Sequence, residues 1–262
     1  MPAPAVLITG GAKRLGAAMA RGFSAAGWRV VIHYRSSADE ALALAEELPD
    51  CETIQCDLSD GDAAQSMVED AARRFGDWRV LINNASIFLP DDVTGLDPET
   101  YNRAMQINAQ SPIRMAQAFL NGPDRSRTPP EQGRCVINVT DQKLANPNPD
   151  FFSYTLSKQT LAGAIPPMAM AAAAQDRIYG LAPGAILPSH DQSEEETETS
   201  HRMNLLERKT GADEVADAAL FLASGALASG QTLFVDSGQH LLDQPRDVIY
   251  LARDLASKGN PE

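Results

Sequence analysis

Tyr154 and Lys158 stand four residues apart in the stretch Phe151-Phe-Ser-Tyr154-Thr-Leu-Ser-Lys158. On a helix that spacing puts both side chains on one face. A free phenol titrates near about 10, too high for easy proton exchange at neutral pH. A lysine ammonium beside it favours the phenolate and draws the value down. Tyr-x-x-x-Lys can therefore act as a tuned acid. The same spacing also arises by chance on solvated helix faces, so its meaning depends on the elements around it. Upstream lie a strand-like apolar run, Cys135-Val-Ile-Asn-Val139, and then Asp141; downstream is an alanine-rich, helix-like run.

The chain begins with a buried-strand pattern, Ala5-Val-Leu-Ile8, which runs into Thr9-Gly-Gly-Ala-Lys-Arg-Leu-Gly16 and then a helix from about Leu15 to Ala26. Strand, glycine-rich turn and helix form the opening of a dinucleotide-binding unit, in which a pyrophosphate approaches the backbone at the helix N-terminus. The alternative is an ordinary strand-to-helix turn. A second strand, Arg29–Tyr34, ends in Arg35-Ser-Ser37. A carboxylate about 20 residues past the glycine turn would hold a ribose 2′-hydroxyl. None occurs here before Asp39; Arg35 and two hydroxyls stand there, with Lys13 and Arg14 in the turn. That collection suits a 2′-phosphate. Alternatively Arg35 is a solvated loop charge, and Ser36 or Ser37 caps the helix Ala38–Leu48.

A third strand, Glu52–Cys56, precedes Asp57, which either contacts an adenine amine or caps a helix. Ser59 and Asp60 open that helix, to about Phe75. The fourth strand, Arg79–Ile82, ends in Asn83-Asn-Ala-Ser-Ile-Phe88. Asp97-Pro98 starts a helix in N-cap and Pro order, with Asn108 about three turns in. The fifth strand is Cys135–Val139 and the sixth is Arg177–Leu181, followed by Ala182-Pro-Gly184. The cluster Asp191-Gln-Ser-Glu-Glu-Glu-Thr-Glu198 repels itself and predicts a mobile piece, either a disordered surface loop or a lid over a substrate. A helix from Asp213 to about Ala223 and a seventh strand, Gln231–Val235, come next. Residues 244–262 are polar, with a helix pattern over Asp247–Ser257.

Alternating strands and helices without hairpin signals predict a single-domain α/β Rossmann fold with a doubly wound, seven-stranded parallel sheet. In such sheets ligands bind at the carboxyl ends of the strands. The glycine turn, Arg35, Asp57, Asn83–Phe88, Asp141 and Pro183-Gly184 all fall at such ends. The organisation expected is a catalytic domain over 1–242, with a substrate loop at about 186–210, and a tail over 243–262.

The chain has 262 residues, enough for one large domain with a buried core. Its net charge of −13 argues against nucleic acid or an anionic membrane as partner. Three cysteines in no metal-binding spacing point to reduced thiols, hence a cytoplasmic location, and no metal is expected. The N-terminal residues lack the basic start and apolar core of a secretory signal, and the run Leu161–Ala174 is short for a membrane span.

Thr9-Gly-x-x-x-x-x-Gly16, Asp57, Asn83-Asn-Ala85, Asn108, Tyr154-x-x-Ser-Lys158 and Pro183-Gly184 together resemble a short-chain dehydrogenase/reductase over about residues 5 to 242. The resemblance implies Tyr154 as proton donor, Lys158 on the ribose and beside Tyr154, and Asn108 supporting a water relay. It implies a nicotinamide cofactor, here NADPH, contacting Gly10, Lys13, Arg14, Leu15 and Gly16 in the first turn. Further cofactor contacts are implied at His33, Tyr34, Arg35, Ser36, Asp57 and Leu58. Asn84, Ala85, Ser86, Tyr154 and Lys158 follow, then Pro183, Gly184 and Ile186.

Four departures narrow the resemblance. Arg14 replaces the middle glycine, Asp141 replaces the serine thirteen residues before the tyrosine, Ser86 follows Asn83-Asn-Ala with Phe88 beyond, and His33-Tyr-Arg-Ser36 closes the second strand. Together they are similar to the pteridine reductase branch, which includes bacterial dihydromonapterin reductases with dihydrofolate reductase side activity. That branch implies Asp141 joining Tyr154 in proton delivery, Phe88 stacking on the pterin, and Ser86, Phe88, Asp141 and Tyr154 as substrate contacts. It implies a small pterin-like substrate and a homotetramer. Elsewhere Tyr179 stands for a common asparagine and Ser237 for a glycine. Pro166-Pro167 predict a kink or break in the Tyr154 helix, beyond the active pair. The competing functions are a carbonyl or 3-oxoacyl thioester reductase and a cofactor-binding regulator without turnover. A complete Asn108, Tyr154 and Lys158 set argues against the regulator.

Overall fold

The structure, a computed structural model, describes residues 3–122, 133–189 and 191–258. Seven strands form one sheet: β1 Ala5–Ile8, β2 Arg29–Tyr34, β3 Cys51–Gln55, β4 Trp78–Asn83, β5 Cys135–Val139, β6 Arg177–Pro183 and β7 Thr232–Val235. Their spatial order is β3-β2-β1-β4-β5-β6-β7, and every pairing is parallel. The order reverses between β1 and β4, so the ligand crevice of a doubly wound sheet opens there. The central strands are apolar at successive positions because helices cover both faces. On one face α1 (Arg14–Ala25), α2 (Ala38–Glu47) and a later helix, Ala212–Ala223, bury Met19, Phe23, Leu44, Val215 and Leu222 against Val6 and Ile8. On the other, α3 (Gly61–Arg74) and the helices Ser111–Asn121 and Phe152–Ala171 bury Val68, Met115, Phe119 and Ile165 against Leu7 and Val31. Among the described residues no helix is long and apolar enough to cross a membrane.

Helix starts follow local chemistry. Asp60 caps α3, accepting from the backbone N–H groups of Asp62 and Ala63 at 3.0 Å. Asp97 caps α4 (Pro98–Met105) through the Thr100 N–H at 2.9 Å. The single helix expected around Asn108 is not one regular helix. A π-helical turn, Gln106–Gln110, separates α4 from α5 (Ser111–Asn121). Such turns recur where function needs a re-aimed side chain.

Helix α6 runs from Phe152 to Ala171 without the break expected at Pro166-Pro167. Both prolines are exposed, so the Ala162 and Gly163 carbonyls that lose their N–H partners lie on the solvent side. Leu161 and Ile165 before them are buried, and Met168 and Ala169 after them pack on the core. Tertiary contact on both sides holds the helix together. The lost hydrogen bond and ring clash still cost ~3 kcal/mol, against a proline gain of ~1 kcal/mol in the unfolded chain. Pro167→Ala is therefore expected to stabilise the fold by about 2 kcal/mol, read as a higher urea midpoint at unchanged slope.

The acidic segment, expected to be mobile, forms helix α7 (Glu194–Ser200). Ser193 and Glu196 make a reciprocal capping box, and the carboxylates of the first turn sit at the positive end of the helix. Arg202 and Lys209 pair with Glu198, and Arg253 pairs with Asp191 and Glu196. A cation one turn away, Arg202, and two further along the chain, Lys209 and Arg253, thus offset the repulsion. After α8 (Ala212–Ala223), the last helix among the described residues is α9 (Val248–Lys258), which packs on α7. Ser237 has φ +53°, the left-handed region that favours glycine.

Candidate active site

Val139 ends β5 and delivers Asp141 in extended backbone to a short 3-10 turn, Gln142–Leu144. Asp141 Oδ1 caps that turn by accepting from the Lys143 N–H at 2.8 Å. Its other oxygen, Oδ2, accepts from Tyr154 Oη at 2.8 Å. Tyr154 is placed by the start of α6, where Asp91 accepts from the Ser153 N–H at 3.1 Å. Phe151, just before that helix, has φ +52°. One turn after Tyr154, Lys158 Nζ donates to the Val139 carbonyl at 2.7 Å, which ties α6 to the end of β5. Asn108 is fully buried in the π-turn. Its amide nitrogen donates to the Ile87 carbonyl at 2.9 Å and to Ser157 Oγ at 3.0 Å, while its oxygen accepts from the Ile87 N–H at 2.9 Å. Ser157 Oγ donates back to the Tyr154 carbonyl at 2.6 Å. The Asn108 side chain therefore braces the loop after β4 and helix α6 rather than facing the cavity.

The electrostatics correct one expectation. Lys158 does not draw Tyr154 down: the phenol is held well above its ordinary value, first by burial and then by the Asp141 charge and hydrogen bond. Burial also raises the Asp141 carboxyl and lowers the Lys158 ammonium to about 8. Spacing places Lys158 on the right face, but desolvation and the nearer carboxylate outweigh its field. The pair is a protonated phenol donating to the Asp141 carboxyl, whose own proton affinity burial raises.

Two cavities meet at Ser86. The first, about 280 Å³, is lined by Asp141, Tyr154, Lys158, Phe88, Asn84 and Arg14, and by Leu15, Pro183, Gly184 and Ile186. The Phe88 ring is 36% exposed; it stacks on Phe151 at 3.9 Å and meets Tyr154 edge-on at 4.7 Å. Arg14 has φ +53°, the left-handed conformation in which glycine fits without strain, and its guanidinium donates to the Leu187 carbonyl at 3.3 Å. The second cavity, about 210 Å³, is lined by Gly10, Lys13, His33, Tyr34, Arg35 and Ser36, with Ser37, Asp57, Leu58 and Ala85. Gly16 lines neither; a Cβ there would fall 2.2 Å from the Gly10 carbonyl, so glycine closes the turn.

Several side chains have structural duties within this crevice. His33 Nδ1 accepts from the Gly10 N–H at 3.1 Å, and Nε2 lies 3.0 Å from the Cys56 carbonyl. That pairing assigns the proton to Nε2, and burial keeps the ring neutral, lowering it to about 4. His33 thus ties the ends of β1, β2 and β3 together. Asp57 accepts from the Ser59 N–H at 2.9 Å, which holds its carboxyl low; the helix cap is Asp60 instead. Ser37 occupies the N-cap of α2 without a side-chain cap bond. Lys13 pairs at the surface with Glu40 at 2.5 Å. Asn84 Nδ2 donates to the Thr9 carbonyl at 2.8 Å, so it holds the turn.

Sequence reasoning missed several neighbours. Thr9 Oγ1 accepts from the Asn84 and Ala85 N–H groups at 2.9 and 3.0 Å, and its place just before the glycines was an available signal. Ser157 lay inside the Tyr-x-x-Ser-Lys motif. The C-terminal stretch carried no signal, yet Asp247, Val248 and Ile249 line the first cavity beside Lys143. The aromatic stack continues from Phe88 through Phe151 to Tyr250 of α9.

With this geometry in hand, the chain can be compared with known proteins. The sequence profile of the family described as enoyl-(acyl carrier protein) reductase, of the short-chain dehydrogenase type, matches residues 10–240. Pteridine reductase 1 of Leishmania tarentolae is 28% identical, covering 91% of this chain and 97% of its own. A dihydromonapterin reductase of Escherichia coli is 24% identical, covering 90% and 96%. Among solved structures, FolM alternative dihydrofolate reductase 1 of Brucella suis, in complex with NADP, superposes with a TM-score of 0.83 at 34% identity over 92% of this chain and 96% of its own. With the profile matching residues 10–240 and the relatives spanning nearly the whole chain, the protein belongs to the short-chain dehydrogenase/reductase family.

Proposed function

We propose that the protein is an NADPH-dependent reductase that converts a dihydropterin, of the dihydromonapterin or dihydrofolate kind, to its tetrahydro form. The observation that carries the proposal is the 2.8 Å hydrogen bond from Tyr154 to Asp141 beneath a cavity lined by Phe88. A serine hydroxyl at position 141 could donate to a ketone oxygen; an ionised carboxylate can only accept. Beside a carbonyl becoming an oxyanion, that charge is unfavourable. A pterin offers ring N–H and amino donors to such a carboxylate. The named relatives, a pteridine reductase, a dihydromonapterin reductase and FolM, support the same choice.

The two cavities together offer a path for NADPH, with the second holding its adenosine end. Strand β2 leads into Arg35, Ser36 and Ser37, a cation and two hydroxyls with no carboxylate, and Lys13 is nearby. Asp57 and Leu58 would flank the adenine, Ser86 and Ala85 the middle of the cofactor, and Lys158, Pro183, Gly184 and Ile186 its nicotinamide half. When bound, the cofactor supplies the hydride. Tyr154 Oη holds the proton that the substrate ring nitrogen takes up as its neighbouring carbon is reduced. Its raised proton affinity keeps the phenol charged with that proton at neutral pH, and it releases the proton only to the stronger base that reduction creates. Asp141 orients the phenol and accepts from pterin donors. Lys158 stabilises the phenolate left behind, and Asn108 braces both elements. The free cysteines Cys51, Cys56 and Cys135 accord with a cytoplasmic enzyme, and the homotetramer of the family is part of the proposal.

The test is NADPH consumption with a dihydropterin beside a 3-oxoacyl thioester, an enoyl thioester and a simple ketone. Turnover of the dihydropterin alone is the expected result. Good turnover of a thioester with dihydropterins untouched overturns the proposal. Phe88→Ala removes one stacking face, worth ~0.5–1.5 kcal/mol by analogy with aromatic pairs. The KM for dihydropterin should rise by about 2- to 10-fold, with kcat less affected, measured by steady-state kinetics.

A further inference from the structure

Lys143 and Asp247 form an ion pair inside the substrate cavity, Nζ to Oδ2 at 2.6 Å, with side chains only 4% and 8% exposed. Nothing in the reaction described above uses either. Burying two charges is expensive, and a lone member left unpaired there would be more so. Asp247 precedes α9 and is held in place by its own backbone: its N–H donates to Asp150 Oδ2 at 2.8 Å, and its Oδ1 accepts from the Ile249 N–H at 3.1 Å. Lys143 also donates to the Asp150 carbonyl at 3.2 Å and lies 5.1 Å from the Phe151 ring, which stacks on Phe88. Its backbone N–H is the group that Asp141 Oδ1 accepts from. The ion pair is therefore joined to the Asp141–Tyr154 pair through the two-residue step from Asp141 to Lys143.

We propose that Lys143 and Asp247 are positioning residues that set the proton affinity of the Asp141–Tyr154 pair, with Asp247 carried into the site by the C-terminal segment. This rests on the proposed reductase reaction, in which that pair is the acid. Lys143 offsets the Asp141 charge, and Asp247 limits how much of that positive field reaches the acid. The fields act in those senses: Lys143 favours the ionised Asp141, and Asp247 favours the protonated Tyr154. Other charged or titratable groups face the same place. They are Lys158 from α6, Arg14 from the glycine turn and His201 after α7, with the Asp150–Arg246 pair and Tyr250 and Arg253 of α9 around Asp247. All of them stay in place in the test below.

The test uses Asp247→Asn, Lys143→Gln and the double variant. The pH profile of kcat for dihydropterin reduction is read together with a carbon-13 NMR titration of the Asp141 carboxyl in the cofactor-free protein, assigned with Asp141→Asn. Removing the Asp247 charge leaves Lys143 uncompensated, which disfavours the protonated acid. The Asp141 titration should move down by about one pH unit, and the loss of kcat above the Lys158 range near pH 8 should move in the same direction. Removing the Lys143 charge should move both up by a similar amount, and the double variant should return close to wild type. Opposite signs from the two partners of one ion pair are the signature of a field. Shifts of the same sign, or lower kcat with an unmoved profile, would mean the pair only packs the C-terminal segment, and would overturn the proposal. Where only one single variant folds, a shift of its predicted sign that the double variant reverses supports the proposal, and a shift of the other sign overturns it. If wild type turns over no dihydropterin, the reductase proposal fails, but the NMR titration still decides this one because it needs neither substrate nor cofactor.

Discussion

Tyr154→Phe is expected to lower kcat for NADPH-driven dihydropterin reduction by about 10²- to 10⁴-fold, the usual worth of a positioned general acid. The substitution keeps the ring that meets Phe88 edge-on and removes only the hydroxyl that donates to Asp141. KM for both substrates should change little, since the hydroxyl matters most as the proton moves. Asp141→Asn should also slow turnover, and the sign of its pH effect follows from the geometry. Loss of the buried negative charge makes the Tyr154 phenol a stronger acid, because Asp141 raises it now. The protonated phenol is then lost at lower pH, and the high-pH limb of kcat should move down. Steady-state rates at neutral pH measure the first effect, and rates followed upward beyond about pH 10, as far as the protein stays folded, measure the second. Retention of nearly full activity by Tyr154→Phe would remove the phenol from the chemistry.

Cofactor choice gives the second large effect. Arg35→Ala should raise the KM for NADPH by about 10- to 100-fold and leave that for NADH nearly unchanged. A charge-assisted hydrogen bond to a phosphate is worth ~1.5–3 kcal/mol, or about one to two decades in affinity. Arg35, Ser36 and Ser37 line the second cavity at the end of β2, where a carboxylate would instead repel a 2′-phosphate. Lys13 can add to the site only by leaving Glu40, an exposed pair that costs little to break. The Michaelis constants of both cofactors, for wild type and variant, decide the matter. Equal constants for NADPH and NADH in wild type would contradict the assignment of Arg35.

Much of the architecture was legible in local pattern. Apolar runs such as Ala5–Ile8 and Cys135–Val139 read as strands because buried parallel strands are apolar at every position. Asp97-Pro98 marked a helix start because both residue types satisfy or forgo the same orphan N–H groups. The site residues fell at strand ends because that is where a doubly wound sheet opens its crevice. Errors arose where a local rule met a distant partner. Crowded carboxylates at Asp191–Glu198 suggested mobility, but Lys209 and Arg253 reach them from other parts of the chain. Two prolines suggested a kink or break in α6; no break occurs, because core contacts on both sides outweigh their cost.

By itself, then, the sequence determined the alternation of strands and helices, the glycine turn, the Arg35 hydroxyl cluster and the shared face of Tyr154 and Lys158. Each depends on residues within a turn or two of one another, where backbone geometry dictates what can meet. Only the tertiary structure decided the electrostatics. Tyr154 is raised rather than lowered because burial and the 2.8 Å contact with Asp141 outweigh Lys158, and both depend on how β5 packs against α6. It also decided that Asp247 meets Lys143 at 2.6 Å inside the first cavity. No local spacing encodes that contact, because it forms only when the C-terminal segment folds back over the carboxyl ends of the sheet.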